Sequence, residues 1–427
     1  MQTIHLPYQK NTADLFDHFV HLPHAIFLDS AGCDRFDIIA ADPIKIIHND
    51  VFESIKSELS NLAAENPYQL PFTIGAIGYL SYDIGRTCET IPTIAKHDIS
   101  LPEAMIGIYD WSIVVDHLHQ KTYFTSARTP KKTNVLLSLI KKKKHKQAIF
   151  KIRKTFKSNM TPAAYRSAFE TIKKNILDGN CYQVNLAQRF SSVYEGNPWT
   201  AYKILRKKNK APFSAFIKVN NNDAILSASP ERFIKVDNHC VETKPIKGTA
   251  KRFEDPVLDK ASANELLNSE KNNAENVMIV DLLRNDLSKS CIAGSVIVSK
   301  LCALESFTNV HHLVSTIHGK LSENNTTIDV LKNCFPGGSI TGAPKIAAMK
   351  IIEALEPHQR SLYCGSIFYI DASHKMDSNI AIRTALCNEN NIHCYAGGGI
   401  VYDSVCEAEY EECLAKVGNI LQILSDI

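Results

Sequence analysis

Between residues 181 and 249 the chain carries five apolar segments, "YQVNLAQRF", "FSAFIKV", "AILSAS", "RFIKV" and "CVETKPIKG". Only a few residues join each of the last four to the next. Parallel neighbours need a crossover of about a dozen residues or more, so links this short impose antiparallel pairing. The link Asn220–Asp223, "NNND", has hairpin composition. The first third repeats the pattern with "HAIFLDS", "RFDIIAADP", "FTIGAIGYLSYD", "MIGIYDWSIVVDH" and "KTYFTSA", rich in β-branched and aromatic residues. Further strands are expected in "SLYCGSIFYID", "NIAIRTALC" and "IHCYAGGGIVYD".

Helices punctuate these groups. Thr161 is placed to cap a helix with Pro162 at its first position, and Gly179 follows its last periodic residue. Helices are also expected over Ala261 to Leu287, from Lys345 to about Leu355, and from about Glu407 onward. Strands grouped with strands and helices between the groups predict an α+β fold of large, mainly antiparallel sheets. The predicted division is 1–130, a basic connector 131–160, and a catalytic region 161–427, intertwined in one globule.

Bulk properties exclude several functions. With 44% hydrophobic and 22% charged residues the composition is that of a globular chain. A net charge of +3 is too small to argue for nucleic acid. The basic run "KKKKHK", Lys141 to Lys146, has few aromatics interleaved and reads as a solvated connector. No secretory leader or bilayer-spanning segment is visible, and the 12 cysteines form no CxxC pair. The expectation is a cytoplasmic protein with reduced thiols and no membrane or nucleic-acid partner.

Several side chains ask for a chemical explanation. In the last helix Tyr410, Leu414, Val417, Leu421 and Leu424 recur at helical spacing as an expected core stripe. Glu409, Glu412 and Lys416 form a second stripe, either a surface ion-pair ladder or one side of a site. Glu407 and Glu411 are expected to face water. Glu275 shares a face with Leu282 in a helix expected to be buried, with Val277, Ile279, Val280 and Leu283. A buried acid needs a cation, a hydrogen bond or a metal. Two glutamates from distant helices would suit a hard cation such as Mg²⁺. Asp281, Arg284 and Asp286 read as structural ion pairs. "FPGGSITGAPK", Phe335 to Lys345, lacks the lysine of a Walker loop but can still hold an anion. Arg383 lies in an expected apolar strand, where its fork would need a carboxylate. Tyr363, expected on the preceding strand, is either core or a hydroxyl donor. Lys247, in an expected turn, is either a solvated cation or a functional amine.

Read together, "SPERF", "PIKGT", "AENVMIVDLLRNDL", "VHHLVS", "FPGGSITGAPK", "YCGSIFYI", "NIAIRT" and "EAEYEECLAK" resemble, in order, the chorismate-utilising enzymes. The resemblance spans Thr161 to the C-terminus and extends more weakly into the first third. It implies a site for chorismate, a dicarboxylate, with Mg²⁺ as cofactor. Glu275 and Glu412 match metal ligands and Glu409 a supporting acid. Gly248, Thr249, Tyr363, Arg383 and Gly397, Gly398 and Gly399 match substrate-binding positions. His312 and Lys416 match residues lining the site. Ser30, Arg35, Phe36, Asp37, Pro212, Phe213 and Ser214 lie where some relatives bind tryptophan.

Within the family the nucleophile decides the product. Water-using members carry a lysine base where this chain has Gln183, and Gln cannot serve as a general base. The anthranilate branch resembles "PIAGT"; "PIKGT" here resembles the aminodeoxychorismate branch, with Lys247 as covalent nucleophile and Glu231 as general acid. The chain shows no glutaminase signature, so the resemblance implies a separate glutaminase subunit supplying ammonia. The alternatives are an anthranilate-forming enzyme and a non-catalytic chorismate-binding relative.

Overall fold

A computed structural model describes the chain except for residues 64, 143–147 and 308–309. Most of the lysine-rich run therefore lies outside the described residues. Among the described residues, one sheet has thirteen strands and the other ten. The named strands pair antiparallel throughout, and the link Asn220–Asp223 joins antiparallel neighbours as expected, whereas the two-residue link after Ser229 carries the chain into the other sheet.

In chain order, the elements that matter below begin with β1 (Ile26–Asp29) and β2 (Gly75–Leu80). Next come α1 (Pro162–Leu177), β3 (Gln183–Gly196), β4 (Phe213–Lys218), β5 (Ala224–Ser229) and β6 (Ile246–Lys251). They are followed by α2 (Pro256–Leu267), α3 (Glu270–Ser288), β7 (Val310–Lys320) and α4 (Lys345–Leu355). The chain closes with β8 (Ser366–Asp371), β9 (Thr384–Asn388), β10 (Asn391–Ile400) and α5 (Cys406–Ser425).

Strands from the first third enter both sheets: β1 pairs with β4, and β2 with β8. Period-two alternation then sorts side chains to opposite faces. Ile26, Ile38 and Ile225 face the core shared with the second sheet, together with Ile77, Phe233 and Ile367. Their neighbours Phe27, Ile39 and Leu226 face the other way, under Phe16, Trp199 and Val417 of the covering helices.

Local chemistry sets the helix ends. The Thr161 side chain accepts from the Ala164 N–H at 3.2 Å, with Pro162 in the first turn, and α1 stops before Gly179 at φ +76°. The expected single helix over Ala261 to Leu287 is two helices beginning at Pro256. The Ser269 side chain caps the Asn272 N–H, starting a new helix and breaking the run.

Two apolar stripes differ from expectation. In α5 the buried side is Cys413, Val417, Ile420, Ile423 and Leu424, whereas Leu414 is 38% exposed. The helix lays its small and polar residues, Glu409 among them, against β10, which turns Leu414 outward. Val277 of α3 is likewise exposed, because only one side of that helix packs on β7. Glu407 and Glu411 are exposed as expected, Glu407 pairing with Arg166 at 2.6 Å. Arg284 pairs with Asp281 at 2.9 Å, and buried Asp286 with Lys345 at 2.6 Å.

Candidate active site

A cavity of about 700 Å³ opens where β6, β7, β10, α3, α5 and the turn before α4 meet. It gathers Glu231, Lys247, Gly248, Thr249, Glu275, His312, Tyr363, Arg383, Gly397, Gly399, Glu409, Glu412 and Lys416. These positions span 186 residues of sequence, from 231 to 416.

Lys247 lies inside β6, not in a turn. The pairing of β6 with β7 shifts register between Ile246 and Thr249, and Gly248 takes φ +83°. Such a bulge re-aims a side chain, and its left-handed residue favours glycine. A Cβ at Gly248 would stand 3.0 Å from Asn272 and Leu266 atoms. The Lys247 ammonium donates to the Ser339 carbonyl oxygen at 3.0 Å, and the Ser339 hydroxyl donates to Glu231 Oε1 at 2.8 Å. Burial pushes the Lys247 amine down from its ordinary range, against the pull of Glu275 and Glu231. Burial pushes the Glu231 carboxyl up, against the Ser339 hydrogen bond and the Lys247 charge. Both shifts favour the neutral forms.

His312 stands on β7 opposite Thr249, with 2.8 Å between Nδ1 and the Thr249 hydroxyl. Burial, with the Arg383 charge behind it, pushes His312 down to about 4. Arg383 is not within a strand. It precedes β9 at φ +51°, and its guanidinium makes no ion pair among the described residues. Tyr363 sits in the turn before β8, stacked on Tyr395 at 5.3 Å between ring centres. The half-buried guanidinium, the neutral imidazole and the hydroxyl of Thr249 make this end of the cavity suited to a carboxylate.

The opposite end is acidic. Glu409 is 3% exposed, and its Oε1 accepts from the Ser404 hydroxyl at 2.7 Å. Lys271, on the first turn of α3, places its ammonium 3.2 Å from Glu409 and 3.9 Å from Glu275. Lys416 pairs with Glu412 at 2.7 Å and donates to the Gly397 carbonyl at 3.1 Å. Burial pushes Glu275 up; Glu412 is held down by Lys416 and Lys271 against its own burial. Among the described residues no three acids, His or Cys close on one point tightly enough to enclose a metal. The donors are nevertheless all carboxylate oxygens opening on one cavity, and an ammonium already stands between two of them. That fits a hard cation that keeps several waters and takes only one or two carboxylates.

Gly397 and Gly399 of β10 line the cavity and also meet a packing demand. A Cβ at Gly397 would meet the Leu186 carbonyl at 2.5 Å, and one at Gly399 the Gln183 amide at 1.9 Å. Their space is filled by β3, so close strand packing already requires glycine there. Gly398 does not line the cavity; its open side faces Glu409 Oε2 at 3.0 Å.

Lys271, Asn185 and Ser404 belong to this region without having been singled out in the sequence. Lys271 precedes Glu275 by four, a spacing that signals a helical pair. Ser339 belongs to the glycine-rich turn expected to hold an anion; its partners Lys247 and Glu231 lie in distant segments and left no local signal.

A second cavity of about 470 Å³ is lined by Ser30, Arg35, Phe36, Pro212, Phe213 and Ser214. Asp37 lies outside it. Strand alternation turns Asp37 the other way, where it accepts from the Ser30 N–H and hydroxyl at 2.7 Å and faces His117 at 2.7 Å.

Residues 23–422 match the family described as chorismate binding enzyme. The chain is 42% identical to aminodeoxychorismate synthase component 1 of Escherichia coli, covering 99% of this chain and 98% of that one. It is 40% identical to the Salmonella typhimurium protein of the same name, with the same coverage. Its fold matches the crystal structure of anthranilate synthase component I from Streptococcus pneumoniae with a TM-score of 0.82 and 32% identity, covering 91% of this chain and 92% of that one. The α+β fold, the motif order and these likenesses agree, and the chain belongs to the chorismate binding enzymes.

Proposed function

We propose that this chain is component I of a cytoplasmic aminodeoxychorismate synthase, replacing the C4 hydroxyl of chorismate by an amine with ammonia from a separate glutaminase subunit. The observation that carries the reading is Lys247, a desolvated amine aimed into the cavity and joined through Ser339 to a buried carboxyl that favours its protonated form.

The residues divide the work by charge. Arg383, with Thr249 and neutral His312 beside it, takes one substrate carboxylate. Glu275 and Glu412, with Glu409 in support, would hold Mg²⁺, which when bound neutralises the other carboxylate against these acids. Neutral Lys247 attacks C2, the two conjugated ring double bonds shift, and the C4–O bond breaks as Glu231 gives its proton to the departing hydroxyl. Ammonia then attacks C4, the two double bonds shift back, and the C2–N bond breaks to return Lys247 as the free amine. Overall, chorismate and ammonium give the aminated product and water, and Glu231 regains the proton that ammonium sheds. Gln183 offers no base for water attack, which keeps hydration out of the cycle. The second cavity is proposed to hold tryptophan, on the strength of its position and lining.

Purified chain should convert chorismate, with Mg²⁺ and ammonium at alkaline pH, to a compound that yields p-aminobenzoate only after aminodeoxychorismate lyase is added. Anthranilate fluorescence without lyase would overturn this in favour of an anthranilate-forming enzyme, and chorismate binding without turnover in favour of a silent relative.

A further inference from the structure

Glu409, Glu275 and Glu412 all face the cavity with lysines beside them, but the lysines are held differently. Lys416 pairs with Glu412 and is also tied to the Gly397 carbonyl. Lys271 bridges Glu409 and Glu275, on two different helices, and shows no further hydrogen bond or ion pair among the described residues, although its charge also reaches Glu412. Its side chain is 47% exposed, whereas those of Glu409 and Glu275 are 4% and 15% exposed. Glu409 is fixed from behind by Ser404. The acids are therefore the fixed partners and the ammonium the movable one, on a stem of four rotatable carbons reaching in from the rim.

We propose that Lys271 is an exchangeable counter-cation: it occupies the Glu275–Glu409 acids while the metal is absent and swings to solvent when a divalent cation takes them. The proposal rests on the reading of these acids as the metal site. Without a cation there, two buried carboxylates repel each other. With a divalent cation there, an ammonium on the same oxygens is itself repelled. The two cations compete for one place. Lys271 thereby weakens metal binding in the empty site and leaves tight retention to the complex in which substrate carboxylate adds its own oxygens. It is a positioning residue, because it acts on the acids and not on the reacting atoms.

The test is Mn²⁺ titration of the full chain, with free Mn²⁺ followed by electron paramagnetic resonance, without chorismate and then with it. Lys271→Met should bind Mn²⁺ without chorismate about tenfold more tightly than the parent, and Lys271→Arg, which keeps the charge, about as tightly as the parent. A parent that binds Mn²⁺ and a Lys271→Met variant that binds equally or more weakly would overturn the counter-cation role and leave the metal reading standing. No binding by any form, even with chorismate, would overturn both. A second measurement needs no variant. Acetylation of Lys271 in the parent, read by mass spectrometry, should speed up at saturating Mg²⁺ as the ammonium leaves the acids. Unchanged or slower labelling would overturn the exchange.

Discussion

The Lys247 ammonium donates to the carbonyl oxygen of Ser339 at 3.0 Å. The hydroxyl of that same serine donates to Glu231 at 2.8 Å, so one residue of the turn before α4 registers the amine against the acid. A bulge at Gly248 aims Lys247 inward, and a glycine-rich turn far along the chain receives it.

Replacing Lys247 by Met should abolish 4-amination by about a thousandfold or more while leaving chorismate and Mg²⁺ binding within a few-fold. The check pairs the lyase-coupled assay with calorimetric binding. Product formed at the parent rate would exclude the covalent role.

Glu231→Gln keeps the shape and the Ser339 contact but has no proton of comparable acidity to give. Its kcat should fall by about 10²–10⁴-fold with KM little changed. A fall confined to KM would make Glu231 a binding group instead.

Arg383 carries a half-buried charge with no ion-pair partner among the described residues. Arg383→Met should raise KM for chorismate about 10–100-fold, the loss expected for one charge-assisted contact. The variant should melt no lower than the parent, because the cavity wall no longer has to desolvate that charge. A lower melting temperature with unchanged KM would assign Arg383 to structure.

His312 is held at about 4, against 6.5 for an unperturbed imidazole. The unfolded chain therefore takes up a proton there between about pH 6.5 and pH 4 that the folded chain refuses. The associated stability is fully present above that window and is lost as pH falls through it, up to about 3 kcal/mol. Urea unfolding of the parent should show a steeper decline across this window than His312→Gln. His393, also held at about 4, declines equally in both and cancels in the difference. Parallel curves would refute the assignment.

Much of the architecture was legible because it is local. The short link after β4 forces antiparallel pairing, Thr161 and Pro162 start a helix, and Lys345–Leu355 is helical as its pattern predicts. The errors arose where packing overrides pattern. A periodic stripe through Leu414 cannot show that β10 approaches α5 from Glu409's side. An apolar run through Arg383 hides a left-handed residue, and an unbroken helical pattern across Ser269 hides a cap.

By itself, the sequence determined the fold class, the family and the kinds of group available: a lysine in "PIKGT", an acid in "SPERF", three glutamates on two helices. Only the tertiary structure decided what each group touches. It threads Ser339 between Lys247 and Glu231, sets Lys271 across Glu275 and Glu409, and leaves Arg383 without an ion pair among the described residues. Hydrogen bonds and charges act over a few ångströms, and which residues come that close depends on strand order and helix docking between segments far apart in the chain.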